Sequence, residues 1–478
     1  MNIGIDRTGS GRVVIPSMAR CCFLAILVAG CGSAPAVSRD PSSEAELLHA
    51  AMSALTDVII YDIFSPPQAS RAYAYASIAG YEAARHGGAA YRSMAGQLNE
   101  LGPVPEPAEG ASIYPPLAAV QAFMTVGRAL TFSQARMDSV RSVLQQRSRE
   151  LAGIPDAVYE QSIAYGEAVA QHILDWSKTD GFIQRLGYPK YTVVPEPGRW
   201  VPTPPGYADA LEPGWATLRP FTLDSASQFR PSPPHPYDMT EGSTFHREAR
   251  EVYDVGLGLT PVQREIAEFW NNNPYTMNVR GHAMFATKQV SPGGHWMALV
   301  PLAARRNRTD LIASAEAYAL AAIAIHDGFL SCWDEKFRSN LIRPETVINE
   351  HFDEEWQPLI QTPPFPEYTS GHSVISSAAA VVLTDRFGAG FAFADSTALP
   401  IGLPVRTFAS FEEAASEAAI SRLYGGIHYR MAIEEGNTQG RRIGEHVIRR
   451  VKTRVEDAIA GASVADGVAR TSVGTASH

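Results

Sequence analysis

The chain of 478 residues is 45% hydrophobic, which is enough apolar material to bury a large core in one big domain or in two lobes. Its formal net charge of −10 argues against a nucleic acid as a partner. Outside the first thirty residues, the sequence contains no internal repeat and no apolar stretch long enough to span a bilayer.

The first thirty residues predict a targeting signal. Three arginines precede an apolar segment at 22–28 that is too short to cross a membrane. Residues 28–31, Val-Ala-Gly-Cys, resemble a bacterial lipobox in which Cys31 becomes the acylated first residue. We therefore expect a signal peptide at 1–30, a tether at 31–46, and a lipid-anchored protein on the periplasmic or extracellular face of the bacterial cell envelope. An ordinary cleaved secretory signal is the alternative.

Cysteine usage fits that compartment. Cys21 and Cys22 leave with the signal and Cys31 carries the lipid, so only Cys332 remains in the body of the protein. A single cysteine excludes an internal disulfide and a cysteine-based metal site. We expect Cys332 to be a small buried hydrophobe.

Helical periodicity dominates the first half of the chain. Apolar residues recur at helical spacing in 45–61, 71–84, 117–130, 133–151 and 155–178. This pattern predicts an N-terminal helical bundle at 47–185. Residues 186–240 then change character, because prolines and aromatics crowd together without a helical or strand period. Such a segment is expected to be a packed excursion that lines the substrate entrance.

The second half again predicts helices, here over 264–270, 311–333, 412–422 and 431–454, within a C-terminal bundle at 241–455. Residues 403–411 are expected to be irregular, and no strand is predicted anywhere. His282 and His295 flank a Gly/Pro loop, where a structural role is favoured over contact with an anion pocket. The tail at 456–478 is expected to be disordered. The predicted fold class is all-α, with two packed helical bundles.

Three separated motifs in the second half carry the candidate chemistry. Lys336 and Arg343 are seven residues apart, which is two turns of one helix, although Pro344 places Arg343 at a helix end. Ser370-Gly371-His372 stands at a predicted helix N-terminus, where free N–H groups and the helix dipole favour an anion. Arg422 and His428 are separated by Gly425-Gly426, which can break the helix and let both side chains converge.

Each motif is weak alone, because a single Arg, Lys or His on a helix is usually a solvated or structural residue. Their occurrence in order within about a hundred residues is specific. Together they supply the cations, the hydroxyl group and the helix N–H group that would bind a small tetrahedral oxyanion.

The pattern K-x6-R-P, S-G-H and S-R-x5-H resembles that of the vanadium-dependent haloperoxidases and of the type-2 phosphatidic-acid phosphatases, which share one active-site design. Two aromatic residues bring it nearer to the haloperoxidases, namely Trp333, three before Lys336, and Phe365, seven before His372. The sequence Gly293-Gly294-His295-Trp296, after Phe269-Trp270, is similar to the bacterial haloperoxidase-related branch.

This resemblance implies two four-helix bundles with the site in the second and vanadate as the cofactor. It implies that vanadate is held by Lys336, Arg343, Ser370, Gly371, Arg422 and His428. His428 would be the metal ligand, His372 the acid or base, and Lys336 the group that polarises peroxide, so that these three are the catalytic residues. Trp333 and Phe365 would form the halide pocket, with hydrogen peroxide and a halide as substrates.

The sequence departs from the family pattern at two positions. Thr369 stands where relatives commonly have Pro, at a position that shapes the turn. Ala432 stands where many relatives have an Asp that orients the histidine. Glu434 or Glu435 is the candidate substitute for that Asp.

Two other functions use the same residues. In an acid phosphatase acting on a phosphate ester, phosphate takes the place of vanadate, His428 becomes a phosphohistidine and His372 protonates the leaving alcohol. The second alternative function is that of a lipoprotein that binds phosphate or vanadate without turnover. The sequence leaves the halide, the organic substrate and the oligomeric state open, with a homodimer as one possibility.

Overall fold

The computed structural model of the protein describes residues 41–455 with the exception of Gly281. The signal peptide, the lipidation site Cys31, most of the tether and the tail at 456–478 therefore lie outside the described residues. None of the helices in the described part is both long and apolar enough to cross a membrane.

Helices form nearly all the regular structure of the described residues, so the all-α prediction is confirmed. The helices of the first half are α1 (Pro41–Tyr61), α2 (Pro66–Ala84), α3 (Pro115–Ala129), α4 (Gln134–Ala152), α5 (Asp156–Ser177), α6 (Thr244–Leu257) and α7 (Pro261–Phe269). Those of the second half are α8 (Pro292–Asn307), α9 (Leu311–Ser339), α10 (Pro344–His351), α11 (Gly371–Phe387), α12 (Phe411–Tyr424) and α13 (Arg430–Arg450).

The expectation of no strands is wrong at two places. Strands β1 (Thr276–Arg280) and β2 (Ala283–Thr287) form an antiparallel hairpin, and β3 (Phe393–Asp395) pairs with β4 (Arg406–Phe408). Of the second pair, β4 lies inside the segment 403–411 that was expected to be irregular. The first pair lacks the alternating burial that marks a strand, since β2 exposes two consecutive apolar residues, Met284 and Phe285. The second pair is too short to display a period.

The centre of the fold is α9, whose residues are buried along almost the whole length of the helix. Its alanines let α2, α8, α11 and α13 pack closely around it. One hydrophobic core runs through helices of both halves, and the described residues form a single compact unit. The bundle boundaries at 185 and 240 stay a prediction. The last turns of α9 carry Trp333 and Lys336 into the middle of the second half.

A stripe of glycines sets the distance between α11 and α13. Gly436, Gly440 and Gly444 lie four residues apart on α13, one turn after another, against α11. A Cβ atom at Gly436 would lie 2.9 Å from the Cβ of Ser373, and one at Gly444 would lie 2.7 Å from the carbonyl oxygen of Ala378. Only glycine allows this approach, which brings the start of α11 beside the start of α13.

We expect Gly440→Ala to lower the free energy of unfolding by about 1–3 kcal/mol, the usual cost of overpacking a tight core. The added methyl group would meet the carbonyl oxygen of Val374, which belongs to the backbone of α11 and cannot rotate away. Denaturant unfolding measures the change. Thr438→Ala, at an exposed position of the same helix, is the control and should change stability by less than about 0.5 kcal/mol. Equal stability of the two variants would contradict this account of the packing.

Candidate active site

The first motif is split between two helices. Lys336 lies in the last turn of α9, which ends at Ser339 and is capped by Asn340 in a left-handed conformation with φ 49°. Arg343 is the N-cap of α10 and Pro344 is the first residue of that helix. The expected two-turn spacing on one helix is therefore wrong, although Arg343 does lie at a helix end. The two cations still converge, because Lys336 Nζ and Arg343 Cζ each lie 5.0 Å from the centre of the Phe365 ring.

The second motif begins a helix, as predicted. Ser370 is the N-cap of α11, and its Oγ accepts hydrogen bonds from the N–H and the hydroxyl group of Ser373. The Ser370 N–H donates to the carbonyl of Ala432, which fixes this end of α11 to α13. Gly371 is the first residue of the helix, so its N–H is one of the unpaired donors at the positive end of the dipole.

The third motif has the predicted break. Helix α12 ends at Tyr424, Gly426 takes a left-handed φ of 77°, and α13 begins at Arg430. The turn brings His428 back toward the first motif. Arg343 Nη1 lies 3.3 Å from His428 Nε2 and donates to the carbonyl of Ile427 at 2.8 Å.

The three motifs meet at a cavity of about 480 Å³. Six of the predicted site residues line it, namely Trp333, Phe365, Gly371, His372, Arg422 and His428. Lys336, Arg343 and Ser370 contact or adjoin these lining residues. Residues from the proline-rich segment, Tyr207 and Leu211 among them, form part of the wall, where the sequence predicted an entrance.

The site concentrates positive charge away from water. Lys336 and Arg343 are fully buried and Arg422 is 1% exposed. Burial lowers the pKa of Lys336 to about 8, that of Arg422 to about 9 and that of Arg343 to about 10, so all three remain largely cationic at neutral pH. Within the site, the Arg343 Nη2, His372 Nε2 and Glu367 Oε2 atoms are buried and have no hydrogen-bond partner among the described residues. Excess buried charge with unpaired nitrogens fits a bound oxyanion such as vanadate.

His428 has a buried carboxyl partner, Glu367, that sequence reasoning missed, and burial raises the pKa of this carboxyl group to about 8. The Nδ1 of His428 lies 2.7 Å from Oε1 of Glu367, and both side chains are buried. The suggested substitutes are wrong, because Glu434 is exposed and the Glu435 carboxylate accepts from the Ser232 N–H. The signal available in the sequence was a lone acidic residue in the Pro/aromatic segment just before Ser370.

His372 and Arg422 are both hydrogen-bonded to the backbone of Trp270. Burial, together with the nearby charge of Arg422, lowers the pKa of His372 well below 6.5, and a hydrogen bond to the backbone of Trp270 raises it by a smaller amount. Arg422 Nη2 donates to the same Trp270 carbonyl at 2.5 Å. Since His372 Nε2 has no partner, the neutral ring keeps that nitrogen free to exchange a proton.

The two other histidines have different surroundings. His295 is buried, lies 2.7 Å from Asp395 through Nε2, and stacks on Trp270 with ring centres 4.5 Å apart. This is the structural use that the sequence favoured. His282 is exposed in the turn between β1 and β2.

We expect the site to bind sulfate, a tetrahedral dianion whose own charge is constant near neutral pH, and to bind it less tightly as pH rises through 8. The bound anion favours protonated Lys336, and that proton is lost above a pKa of about 8. The affinity should fall by up to about tenfold per pH unit above pH 8. Calorimetric titration at pH 7 and pH 9 measures the change. Lys336→Gln keeps amide donors for the surrounding carbonyls, and a pH response equal to that of the unaltered protein would rule out Lys336 as its source.

Comparison with known proteins adds a family match and solved structures. Residues 316–457 match the model of the VCPO second helical-bundle domain. The crystal structure of the first bacterial vanadium-dependent iodoperoxidase is 48% identical, with a TM-score of 0.81, covering 86% of this chain and 97% of that chain. The holo-type structure of a bacterial vanadium-dependent chloroperoxidase is 16% identical, with a TM-score of 0.60, covering 84% and 92%. The apo-type structure is also 16% identical with a TM-score of 0.60, covering 83% and 95%. No curated protein matches the chain.

Proposed function

The chain belongs to the vanadium-dependent haloperoxidase family, and on that basis we propose that iodide is the halide it oxidises. It is a peroxidase that uses vanadate as cofactor and takes hydrogen peroxide and a halide as substrates. The phosphatase alternative is not favoured, because the similar structures are haloperoxidases. The choice of iodide rests on the 48% identical iodoperoxidase and on the chemistry of the cavity wall.

One observation on Trp333 carries the proposal of iodide. The ring of Trp333 lies 5.0 Å from that of Phe365, centre to centre, and both line the cavity beside His372 and His428. The Trp333 indole N–H donates to the carbonyl of Leu211 at 3.2 Å, so this donor is already used. A halide beside this pair meets mainly apolar ring surface. Iodide is the least strongly hydrated of chloride, bromide and iodide, so it loses the least hydration free energy on entering such a site.

Residues of this chain would bind the vanadate anion and balance its negative charge. Arg343 and Arg422 provide guanidinium groups for the vanadate oxygens, Lys336 adds a point charge, and the Gly371 N–H and the Ser370 hydroxyl group complete the cradle. Bound vanadate supplies the electrophilic centre at which hydrogen peroxide is activated toward halide. Because the cations are fixed in a buried site before any substrate arrives, they stabilise developing negative charge without reorganisation.

The two histidines have separate tasks in the proposed mechanism. His428 lines the cavity and would hold the cofactor through Nε2, the ring nitrogen that faces Arg343 and not Glu367. His372 accepts or returns a proton at Nε2, which is free because its ring is held through Trp270. Burial keeps the pKa of both rings well below 6.5, so both are neutral before peroxide enters.

The proposal of iodide is tested with the vanadate-loaded protein and hydrogen peroxide. Formation of triiodide, or halogenation of a reporter dione by bromide or chloride, gives kcat/KM for each halide. The proposal predicts turnover with iodide and at least about 100-fold lower kcat/KM with bromide and chloride, which corresponds to a difference of about 2.7 kcal/mol in activation free energy. Comparable turnover with bromide would overturn the choice of halide and leave the haloperoxidase activity standing.

We also propose that Cys31 is lipidated and anchors the protein to the bacterial cell envelope, on its periplasmic or extracellular face. The support is the positively charged start, the short apolar segment at 22–28 and the Val-Ala-Gly-Cys sequence before the tether. Metabolic labelling with a fatty acid tests this proposal. The label should enter the protein and be absent from Cys31→Ser, and an unlabelled protein in the soluble envelope fraction would contradict it.

A further inference from the structure

Glu367 lies where two parts of the site join. It belongs to the segment between α10 and α11, which lies against the junction of α12 and α13. Its backbone N–H donates to the carbonyl of Leu341 at 3.0 Å, and its own carbonyl accepts from Lys336 Nζ at 2.9 Å. The backbone of Glu367 is therefore fixed before its side chain is considered.

The side chain makes a second pair of bonds through a single oxygen. Oε1 lies 2.7 Å from His428 Nδ1 and accepts the backbone N–H of Tyr429 at 2.9 Å. Tyr429 is the N-cap of α13, so the carboxyl group binds both the histidine and the chain that carries it. The side chain of Glu367 is fully buried, so its carboxyl group is shielded from bulk solvent.

The direction of these bonds decides which nitrogen of His428 carries the proton. Oε1 accepts the Tyr429 N–H, and because the Arg343 N–H beside Nε2 can only donate, the single proton of the neutral ring lies on Nδ1 and is accepted by the same Oε1. A proton on Nδ1 leaves Nε2 with its lone pair, and Nε2 is the nitrogen that lies 3.3 Å from Arg343 Nη1. An N–H of Arg343 can only donate, which is consistent with an unprotonated Nε2.

We propose that Glu367 is the positioning residue that fixes His428 as the Nδ1–H tautomer and so presents the Nε2 lone pair to vanadate. Carboxylates that accept from the second nitrogen of a ligating histidine fix the ring orientation and increase the basicity of the ligand. Because position 432 is an alanine, α13 offers no carboxylate there to orient His428. Glu367 takes this orienting role from the segment between α10 and α11. This inference rests on vanadate as the cofactor but is independent of the halide.

Nitrogen-15 NMR of the histidine-labelled, vanadate-free protein tests the tautomer directly, with the His428 signals assigned from their loss in His428→Gln. In the unaltered protein, Nδ1 should be protonated and Nε2 unprotonated. A proton on Nε2 in the unaltered protein would overturn the proposal, and no Glu367 variant is needed to reach that result. Because this measurement needs no vanadate, peroxide or halide, its result is separate from the success or failure of the peroxidase assay.

Two substitutions extend the test. Glu367→Gln keeps an acceptor oxygen at nearly the same place, whereas Glu367→Met has a similar length and no strong acceptor. We expect Glu367→Met to lose the single tautomer and to bind vanadate about 10–100-fold more weakly by calorimetry, the usual effect of losing such a partner. Glu367→Gln should keep the tautomer and recover most of the affinity. Equal vanadate affinity of Glu367→Met and the unaltered protein would contradict the proposed role.

Discussion

Replacing His428 with alanine is expected to reduce vanadate-dependent iodide oxidation by more than about 100-fold. Mutating a residue that only hydrogen-bonds to a ligating histidine already lowers metal affinity or activity by about 10–100-fold, and here the histidine itself is removed. His428 lines the cavity with its Nε2 3.3 Å from Arg343 Nη1, so the substitution removes the ring nitrogen that would hold the cofactor. Calorimetric titration should show a matching loss of vanadate affinity. Initial rates of triiodide formation at saturating peroxide measure the activity.

The fold should survive this substitution. Glu367 keeps its bond from the Tyr429 N–H, and the packing of α11 against α13 does not depend on the imidazole. Circular dichroism and thermal unfolding check that point. His282→Ala removes an exposed histidine and should retain full activity. A folded His428→Ala protein with more than about a tenth of the normal rate would contradict both the haloperoxidase mechanism and a phosphohistidine mechanism.

Replacing Arg422 is expected to cost about 10²–10³-fold in kcat/KM, the range found when one preorganised donor to a developing negative charge is removed. Arg422 is buried, and its guanidinium is aligned by the Trp270 carbonyl at 2.5 Å and the Ser421 hydroxyl group at 3.0 Å. Lysine retains the charge but lacks the planar fork. Arg422→Lys should therefore fail to restore the activity that Arg422→Ala loses.

The control for Arg422 is an arginine in a solvent-exposed ion pair. Arg250 is 52% exposed beside Asp254, so Arg250→Lys should leave kcat/KM unchanged. Steady-state kinetics with iodide and sulfate binding to the vanadate-free protein separate lost anion affinity from lost turnover. Near-normal kinetics in Arg422→Lys would mean that only the charge matters at this position.

Local sequence signals were enough for some parts of the site. Gly425-Gly426 predicted the break after α12, because glycine can take the left-handed φ that Gly426 adopts. Ser370 predicted the start of α11, because a serine that accepts a backbone N–H is a favoured N-cap. Both features depend on residues within a few positions of each other.

Other parts depend on distant contacts. Helix α9 ends at Ser339, and the window around Lys336 and Arg343 contains a local stop signal there, because asparagine tolerates the left-handed φ of 49° that Asn340 adopts. The contacts that fix this end cannot be read from that window, since the Asn340 carbonyl accepts the N–H of Trp200 and the chain pairs with Arg199 at Leu341. The bond between Glu367 and His428 likewise joins residues 61 positions apart, and only the folded chain brings them together.

The hairpin β1–β2 was missed for a different reason. Its strands pair only with each other, and β2 exposes both Met284 and Phe285. Alternation of apolar and polar residues arises when one face of a strand is buried, and here that condition is not met. The prediction of helices succeeded because their apolar faces pack on one large core.

The most direct test uses the full-length protein freed of phosphate and bound metal. Vanadate is added back in the presence of hydrogen peroxide and iodide, and triiodide is followed by absorbance, while hydrolysis of an aryl phosphate is measured in a parallel sample. We expect iodide oxidation that requires vanadate, saturates with it and is prevented by excess phosphate. Absence of iodide oxidation, together with phosphate-ester hydrolysis that vanadate inhibits, would contradict it.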